Sequence, residues 1–598
     1  MHKVQKTGAI FLFLFFFVAF NITSGLSEIS TSRKLLYSFC RIKGDVIQLF
    51  LAGLPEPPKM RETVIDGGKL SLNVKTFGAK GDGVTDDTVA IQKAVDWVYA
   101  HGGGTVLFPP GTYLVTTVNI RENITYQGYG ATIKRPDFLT EKIGQKKAKW
   151  VRTFTTQKYP YEGDVDSKPL IIQGLTFDGS SQTQGPYKRY QLEQASLVFL
   201  MGNPKKPGRL TAVVKDCTFK NGVGDGVSVF VNTNIKMINC TAENIFRGGL
   251  VVTGGYSVVQ VNNLTTRGKV DATGIVVEVD SHGYGNTFKV ELHLENLVLE
   301  DGKYLAGLSP GSTLYGRNIR VLKPPTYFYN PRARQVYEDC FFALGVPYES
   351  RLNAIVKPGE MQFKHCIFRA TRTKDSDYYA ASPYIQWNLP GTSERDQRLA
   401  FSDCRFETDD SFRPTDEICG IVTGADLSEL NNLMVVEGGE ISSRMNYGIR
   451  ARWGGKWQVR RLKNLAQITY RLYGLATQGG GKTWEYWYDV RLEDMKTAPS
   501  NVSFISIGGA NDAHNKLSCN NIIVNQAQNV IQSDWGLDKV TIKSQRTILA
   551  DGPPTSDSNG FIGDTWQSSK GERWRCIKAG YVYGRPPKKV PSRWSQIN

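Results

Sequence analysis

Between residues 70 and 117 the hydrophobic pattern changes period twice. A short β run ends at Phe77 and meets a glycine-rich turn, Gly78 to Gly83. From there Val89, Ile91, Ala94, Val95 and Val98 recur at helical spacing, with Asp86 and Asp87 placed to cap the start and Gly102, Gly103 and Gly104 to end it. Val106 to Phe108 returns to a strand, and the Pro-Pro-Gly turn at 109–111 leads into another over Thr112 to Thr117. Further along, a polar residue followed by Cys or an aliphatic recurs in β context: Asp216-Cys217, Asn239-Cys240, Asn263-Leu264, Asn296-Leu297, Asn318-Ile319, Asp339-Cys340, His365-Cys366, Asp403-Cys404, Asn432-Leu433, Asn464-Leu465 and Asn521-Ile522. Most steps between these marks are 21 to 38 residues. Such a period fits the coils of a β-solenoid, each of which needs a stacked neighbour to bury its apolar face. With coils ~4.8 Å apart, the marks describe a rod at least ~50 Å long.

Cys217, Cys240, Cys340, Cys366 and Cys404 all follow a mark, so they read as small inward core residues. The chain has no CxxC or other metal spacing, and no metal site is predicted. Nine cysteines at this repeat spacing argue against a disulfide framework; Cys217 with Cys240 on adjacent coils is the one bond the spacing allows.

The segment from about 71 to 135 closely resembles the opening motif of the pectate-lyase-like superfamily of right-handed parallel β-helices, which includes secreted polysaccharide lyases, glycosidases, alginate epimerases and phage tailspike depolymerases. The resemblance implies an all-β, right-handed parallel β-helix whose first end is covered by the short helix. Asp82, Asp86 and Asp87 then belong to turns and caps. It implies a polysaccharide partner without choosing the reaction, and the tailspike relatives suggest a homotrimer by analogy only.

Composition and charge narrow the setting. The chain is 40% hydrophobic and 22% charged, which excludes wholesale disorder and a polytopic membrane protein. A formal net charge of +17 favours polyanionic partners. Lys3 and Lys6 precede an apolar run from Ala9 to Phe20, followed by Thr23, Ser24 and Gly25, the order of a secretory signal. That run is too short to span a ~30 Å bilayer comfortably. The expected organisation is a signal peptide at 1–25, an N-terminal cap and linker at 26–70, the β-helix at 71–545 and a small C-terminal β module at 546–598. The expected location is extracellular or periplasmic, with no membrane contact after signal cleavage. In the C-terminal module, Trp566, Trp574, Tyr581, Tyr583 and Trp594 serve either to stack on sugars or to form its own core.

A β-helix offers a groove on the outer side of stacked strands, so strand parity selects candidate chemistry. In Gly274 to Asp280, Ile275, Val277 and Val279 share one side, and Val276, Glu278 and Asp280 the other. Glu278 and Asp280 are the expected catalytic pair for glycoside hydrolysis, one as acid and the other as base or nucleophile. Their spacing does not choose between retention and inversion. His282 and Tyr284 follow as substrate contacts. Aligning Gly226, Gly249 and Gly274 puts Asp225, a third acid, and Arg247, a substrate clamp, at one edge with Asp271. Arg450, Arg452, Trp453, Lys456, Trp457, Arg460 and Arg461, with Tyr470, Arg471 and Tyr473 one coil on and then Trp484, Tyr486, Trp487 and Tyr488, suggest a basic aromatic path for an acidic glycan. Single-stranded nucleic acid uses the same residue types, but the opening motif and the signal favour glycan. Gly479-Gly-Gly-Lys-Thr483 is no phosphate loop, because Ala476 stands where the first Gly belongs.

The expected function is a secreted glycoside hydrolase cleaving a uronate- or sulfate-bearing polysaccharide without a cofactor. One alternative is a uronate lyase or epimerase using Arg247, Arg267 or Lys269 as base, with calcium in the lyase case. Another is a non-catalytic glycan-binding or surface-attachment protein.

Overall fold

The computed structural model describes Thr63–Asp66 and, with interruptions, residues 69–597; the longest stretches outside it are 1–62, 185–191, 279–288, 346–353, 372–383, 387–396, 410–417, 425–431 and 509–514. The expected signal and most of the expected linker therefore lie outside the described residues. Each coil contributes to three faces. Val227–Val229 lies on the first face, in parallel register between Val198–Leu200 and Gly248–Val252. Thr233–Glu243 then supplies the second and third faces, stacked between Leu210–Lys215 with Thr218–Lys220 on one side and Ser257–Arg267 on the other. Repeated along the chain, this makes a right-handed parallel β-helix.

The corner between the second and third faces explains the sequence marks. In Thr233–Glu243 inward and outward residues alternate until Ile238 and Asn239, which both face out, after which Cys240 is buried. Asn239 makes that change of parity by adopting a left-handed backbone, φ 52°. Asn and Asp tolerate this conformation better than other side-chain-bearing residues. Asp216, Asn263, Asn296, Asn318, Asp339, His365, Asp403 and Asn521 share it, with φ between 50° and 61°. Their side chains form a ladder between coils: Asn263 Nδ2 donates to Asn239 Oδ1 at 2.9 Å and Asn318 Nδ2 to Asn296 Oδ1 at 2.8 Å. Two expected marks are corrected. Asn432 and Asn464 are buried and pair with backbone inside the turns, while Gly438, Arg461 and Asp494 take the left-handed positions. Replacing Asn318 by Ala should cost about 2 kcal/mol through left-handed strain and the lost ladder bond, and by Gly about 1 kcal/mol. Equal urea-unfolding effects for the two variants would contradict the conformational argument.

Behind each mark the next residue enters the core. Cys240 Sγ donates to Ile238 O at 3.3 Å and to Val214 O of the preceding coil at 3.7 Å, and Cys217, Cys340, Cys366 and Cys404 repeat the pattern. A thiol suits the corner because it fills apolar volume and still donates weakly to bent carbonyls. All eight cysteines described are free, so the Cys217–Cys240 bond does not form. Burial pushes the Cys240 and Cys519 thiols up to about 12. Alkylation by iodoacetamide at mildly alkaline pH should therefore await unfolding; rapid native labelling of Cys240 would refute this. Further along, Tyr337, Phe363 and Phe401 stack with centroids 5.1 and 5.4 Å apart, beside Phe342, Phe368 and Phe406.

Helix α1 (Thr88–Ala100) covers the first end through buried Ile91, Ala94, Val95 and Val98. Asp86 Oδ1 accepts from Thr88 N at 3.0 Å, capping the helix. Asp87 is buried and accepts from Lys80 N and Gly81 N, closing the glycine-rich turn. Asp82 accepts from the Thr85 and Val84 backbone N–H groups and the Thr85 hydroxyl, which hold its carboxyl down to about 2.

At the other end, Thr565–Ser568 and Tyr581–Tyr583 continue the faces in parallel to Thr541–Ala550 and Ile531–Ser533 before the chain turns antiparallel. Residues 61–598 accordingly form one compact unit. Trp566 is buried in the main core with Trp594 edge-on to it at 5.4 Å, which assigns it to packing. Leu475–Gly479 and Lys482–Tyr486, the strands on either side of Gly480 and Gly481 in the Gly-Gly-Gly-Lys-Thr run, pair antiparallel.

Candidate functional site

The first face carries the described polar cluster that sequence reasoning partly anticipated. Gly226 and Gly249 occupy the same place on adjacent coils, since Val227 pairs with Leu250. A Cβ at Gly226 would sit 2.6 Å from Gly249 O, so glycine lets the two edges stack flush. Just before these glycines come Asp225 on one coil and Arg247 on the next. Arg247 Nη1 lies 3.5 Å from Asp225 Oδ2. The same oxygen accepts from Ser228 Oγ at 2.7 Å, and Ser196 and Ser228 hydroxyls are 2.7 Å apart. Asp225 is only 2% exposed. Expected as a third acid, it lies beneath the surface beside Arg247.

A second cation reaches this edge from an insertion. Between the third-face strand ending at Lys134 and Phe154–Thr155, short helical segments Leu139–Ile143 and Gln145–Ala148 form a wall. Ala148 joins Leu192, Ala195 and Val223 in a small separate apolar cluster that holds it down. Arg135 Nη2 ties the wall in place through Val151 O and Ala195 O. Next along, Arg152 is 5% exposed, lies 3.5 Å over the Phe199 ring and donates to Gln157 Oε1. Its Nε has no hydrogen-bond partner among the described residues. Burial pulls the guanidinium down to about 10, while the Asp225 charge acts in the opposite direction. Trp150 is 58% exposed, with Arg152 and Lys149 5.9 and 5.6 Å from its ring. Sequence reasoning missed Arg152 and Trp150; the basic aromatic run Lys146-Lys-Ala-Lys-Trp-Val-Arg152 was the available signal.

Glu278 stands elsewhere on this face. Register pairs Ile275 with Leu250 and Tyr304, Val277 with Val252 and Ala306, and Glu278 with Gly307. Thr273 shares Gly248's place, next to the edge, so Glu278 lies five residues further along, ~16 Å at ~3.3 Å per residue, and two coils from Asp225. The two acids do not form one cluster. Asp280, His282 and Tyr284, and likewise Arg452 and Trp453, lie outside the described residues.

The basic aromatic path is also corrected. Trp457 is 1% exposed, and Tyr470 and Tyr488 are buried beside it in the core, so none contacts a glycan. Arg460 projects from the second-face strand Gly455–Arg460 and pairs with Asp494 at 2.8 Å, which pushes its pKa further up. Arg461 and Lys463 pair with Glu437 and Glu440. Among the described cations of this path, Arg450 and Arg471 share the first face, where both lie over the Tyr447 ring and Arg471 Nη1 meets Tyr447 OH at 2.6 Å. Among the described residues no group of three or more His, Cys, Asp and Glu side chains comes together to hold a metal ion.

Residues 71–277 match the family profile "Rhamnogalacturonase A/epimerase, pectate lyase-like". A mannuronan C5-epimerase, AlgE5 of Azotobacter vinelandii, is 48% identical over 238 residues, 36% of this chain and 24% of that protein. Plasmin and fibronectin-binding protein A of Streptococcus pneumoniae is 47% identical over 184 residues, 28% of this chain and 23% of that protein. The chain thus spans about a quarter of the length of either relative. Among solved structures, the A-module of the Azotobacter vinelandii epimerase AlgE4 aligns at 17% identity with a TM-score of 0.37, covering 67% of this chain and 97% of that one. With the coils, the corner ladder and the capped first end all in place, the protein carries the fold of the pectate-lyase-like superfamily of right-handed parallel β-helices.

Proposed function

We propose that the protein is an enzyme acting on an acidic polysaccharide that lies along its first face. The observation that carries this reading is the cluster of Arg152 and Arg247 around one carboxylate, Asp225, that is itself buried. Two guanidinium groups against one acid leave positive charge at this edge, and exposed Trp150 beside them offers a ring face to a sugar. A uronate carboxylate held there loses part of its charge repulsion, which makes the proton on the adjacent carbon easier to remove. That chemistry belongs to an epimerase or lyase, in keeping with the epimerase resemblance over part of the chain. Hydrolysis by Glu278 and Asp280 is the second reading. It is supported by the alternation of Gly274 to Asp280, in which Glu278 and Asp280 share one parity and Ile275, Val277 and Val279 the other.

One experiment separates them. The protein is incubated with mannuronan, polygalacturonate and a sulfated galactan, and products are followed by proton NMR, reducing-end assay and unsaturated-uronate absorbance. Inversion at C5 without chain cleavage indicates an epimerase, unsaturated ends a lyase, and saturated new ends a hydrolase. No change in any acidic glycan would overturn the enzymatic reading.

A further inference from the structure

A groove of about 500 Å³ crosses several coils of the second face, away from the cluster just described. That size is within the usual range of ligand sites. Along it Lys236, Gln260, His293 and Tyr315 stand at the same register position on four consecutive coils, ~4.8 Å apart. The His293 and Tyr315 rings stack, centroids 5.2 Å apart and 21° between planes, and Tyr315 remains 37% exposed. Together they present a flat aromatic surface in a groove whose lining mixes apolar residues such as Val261, Leu294 and Val336 with hydrogen-bonding groups.

The polar groups in this row are differently committed. His293 is engaged by Glu291 at 2.7 Å, and Glu295 lies 3.9 Å from Arg317 in the neighbouring row. Lys236 makes no ion pair, and neither the Gln260 amide nor the Tyr315 hydroxyl makes a hydrogen bond, among the described residues. An ammonium, an amide and a hydroxyl with unspent capacity, lined up beside an exposed ring platform, match an oligosaccharide. Its apolar ring face meets Tyr315, its hydroxyls meet Gln260, and an acidic substituent meets Lys236.

We propose that this groove is a second saccharide-binding site, which holds an acidic oligosaccharide along the solenoid axis without taking part in chemistry. The proposal rests on the polysaccharide reading above. It is tested by affinity electrophoresis of the full chain in gels containing mannuronan, with a neutral cello-oligosaccharide of equal length as soluble competitor and oligomannuronate as the matched acidic one.

Wild-type protein should be retarded, and oligomannuronate should release it more effectively than the neutral competitor. Tyr315→Ala should weaken retention about three- to tenfold, the size of a lost stacking contact. Tyr315→Phe should retain it, and Lys236→Ala should remove the preference for the acidic competitor. Tyr315→Ala should cause the same fold loss of retention in an Arg247→Lys background, where turnover has already fallen, which separates failure of this groove from failure of the first-face site. Unchanged retention of folded Tyr315→Ala, or wild-type protein that mannuronan does not retard, would overturn the proposal whatever the activity assays show.

Discussion

Replacing Arg546 by Met is expected to destabilise the C-terminal end of the solenoid by about 3–5 kcal/mol. Arg546 and Asp564 are both fully buried, with Arg546 Nη2 2.5 Å from Asp564 Oδ2 and Nε 3.2 Å from the same oxygen. Register aligns Arg546 with Ile522, so it occupies the inward position that Cys or an aliphatic holds on earlier coils. Its guanidinium lies between the Phe504 and Phe561 rings at 4.9 and 4.6 Å, and Nη1 donates to Asn529 Oδ1. Asp564 accepts in addition from Ser544 Oγ and from Phe561 N. Removing either partner leaves the other charge in a nearly water-free interior, whereas replacing both by apolar residues of similar volume should recover most of the loss. Because coils in a solenoid contact mainly their neighbours, the single variant should fray locally. Limited proteolysis within 551–564 should therefore appear before global melting. A loss of under about 1 kcal/mol for Arg546→Met, or no recovery in the double replacement, would show that the pair is not the closure of this end.

The second large effect concerns turnover. Arg247→Lys keeps a cation beside Asp225, so melting should stay within a few degrees, but it loses the planar fork that pairs with a carboxylate. Turnover on an acidic glycan should fall about 100-fold or more, the usual cost of removing one aligned donor to developing charge. Trp150→Ala should chiefly raise KM, since its exposed ring contributes little to folding. Steady-state kinetics with matched melting curves checks both. Full turnover by Arg247→Lys would make the Asp225 cluster structural and direct attention to Glu278, with Glu278→Gln as the deciding variant.

Much of the architecture was legible in the chain. The helix α1, its glycine-rich approach and the cap at Asp86 follow from residues close in sequence, so local periodicity and turn chemistry identify them, while Asp87, expected as a second cap, closes the glycine-rich turn instead. The corner marks were visible for the same reason: a left-handed position favours Asn, Asp or Gly, and the residue after it turns into the core and is apolar. The pattern misled at Asn432 and Asn464, because a buried Asn capping a turn has the same sequence signature as one on the ladder. Arg461 escaped notice because long basic side chains seldom take that conformation. Trp457 was misplaced among exposed cations because parity depends on which coil position starts the strand, and Gly455 sets that start in the fold.

The sequence by itself thus determined the fold class, the capped first end, the stacked thiols and the polar corner, since each depends on a period repeated within a coil or on contacts between successive coils of similar text. Only the tertiary structure decided which polar residues meet. Asp225 and Arg247 touch because turn lengths set their coils in register; Arg152 joins them from an insertion whose path no period describes; and Glu278 is set apart by five residues of extended strand, a separation that appears once the rungs are aligned. The physical reason is that burial of alternating apolar residues constrains each strand's own pattern strongly, whereas the placement of outward polar groups is fixed by loop lengths and inter-coil register, which hydrophobic periodicity does not encode.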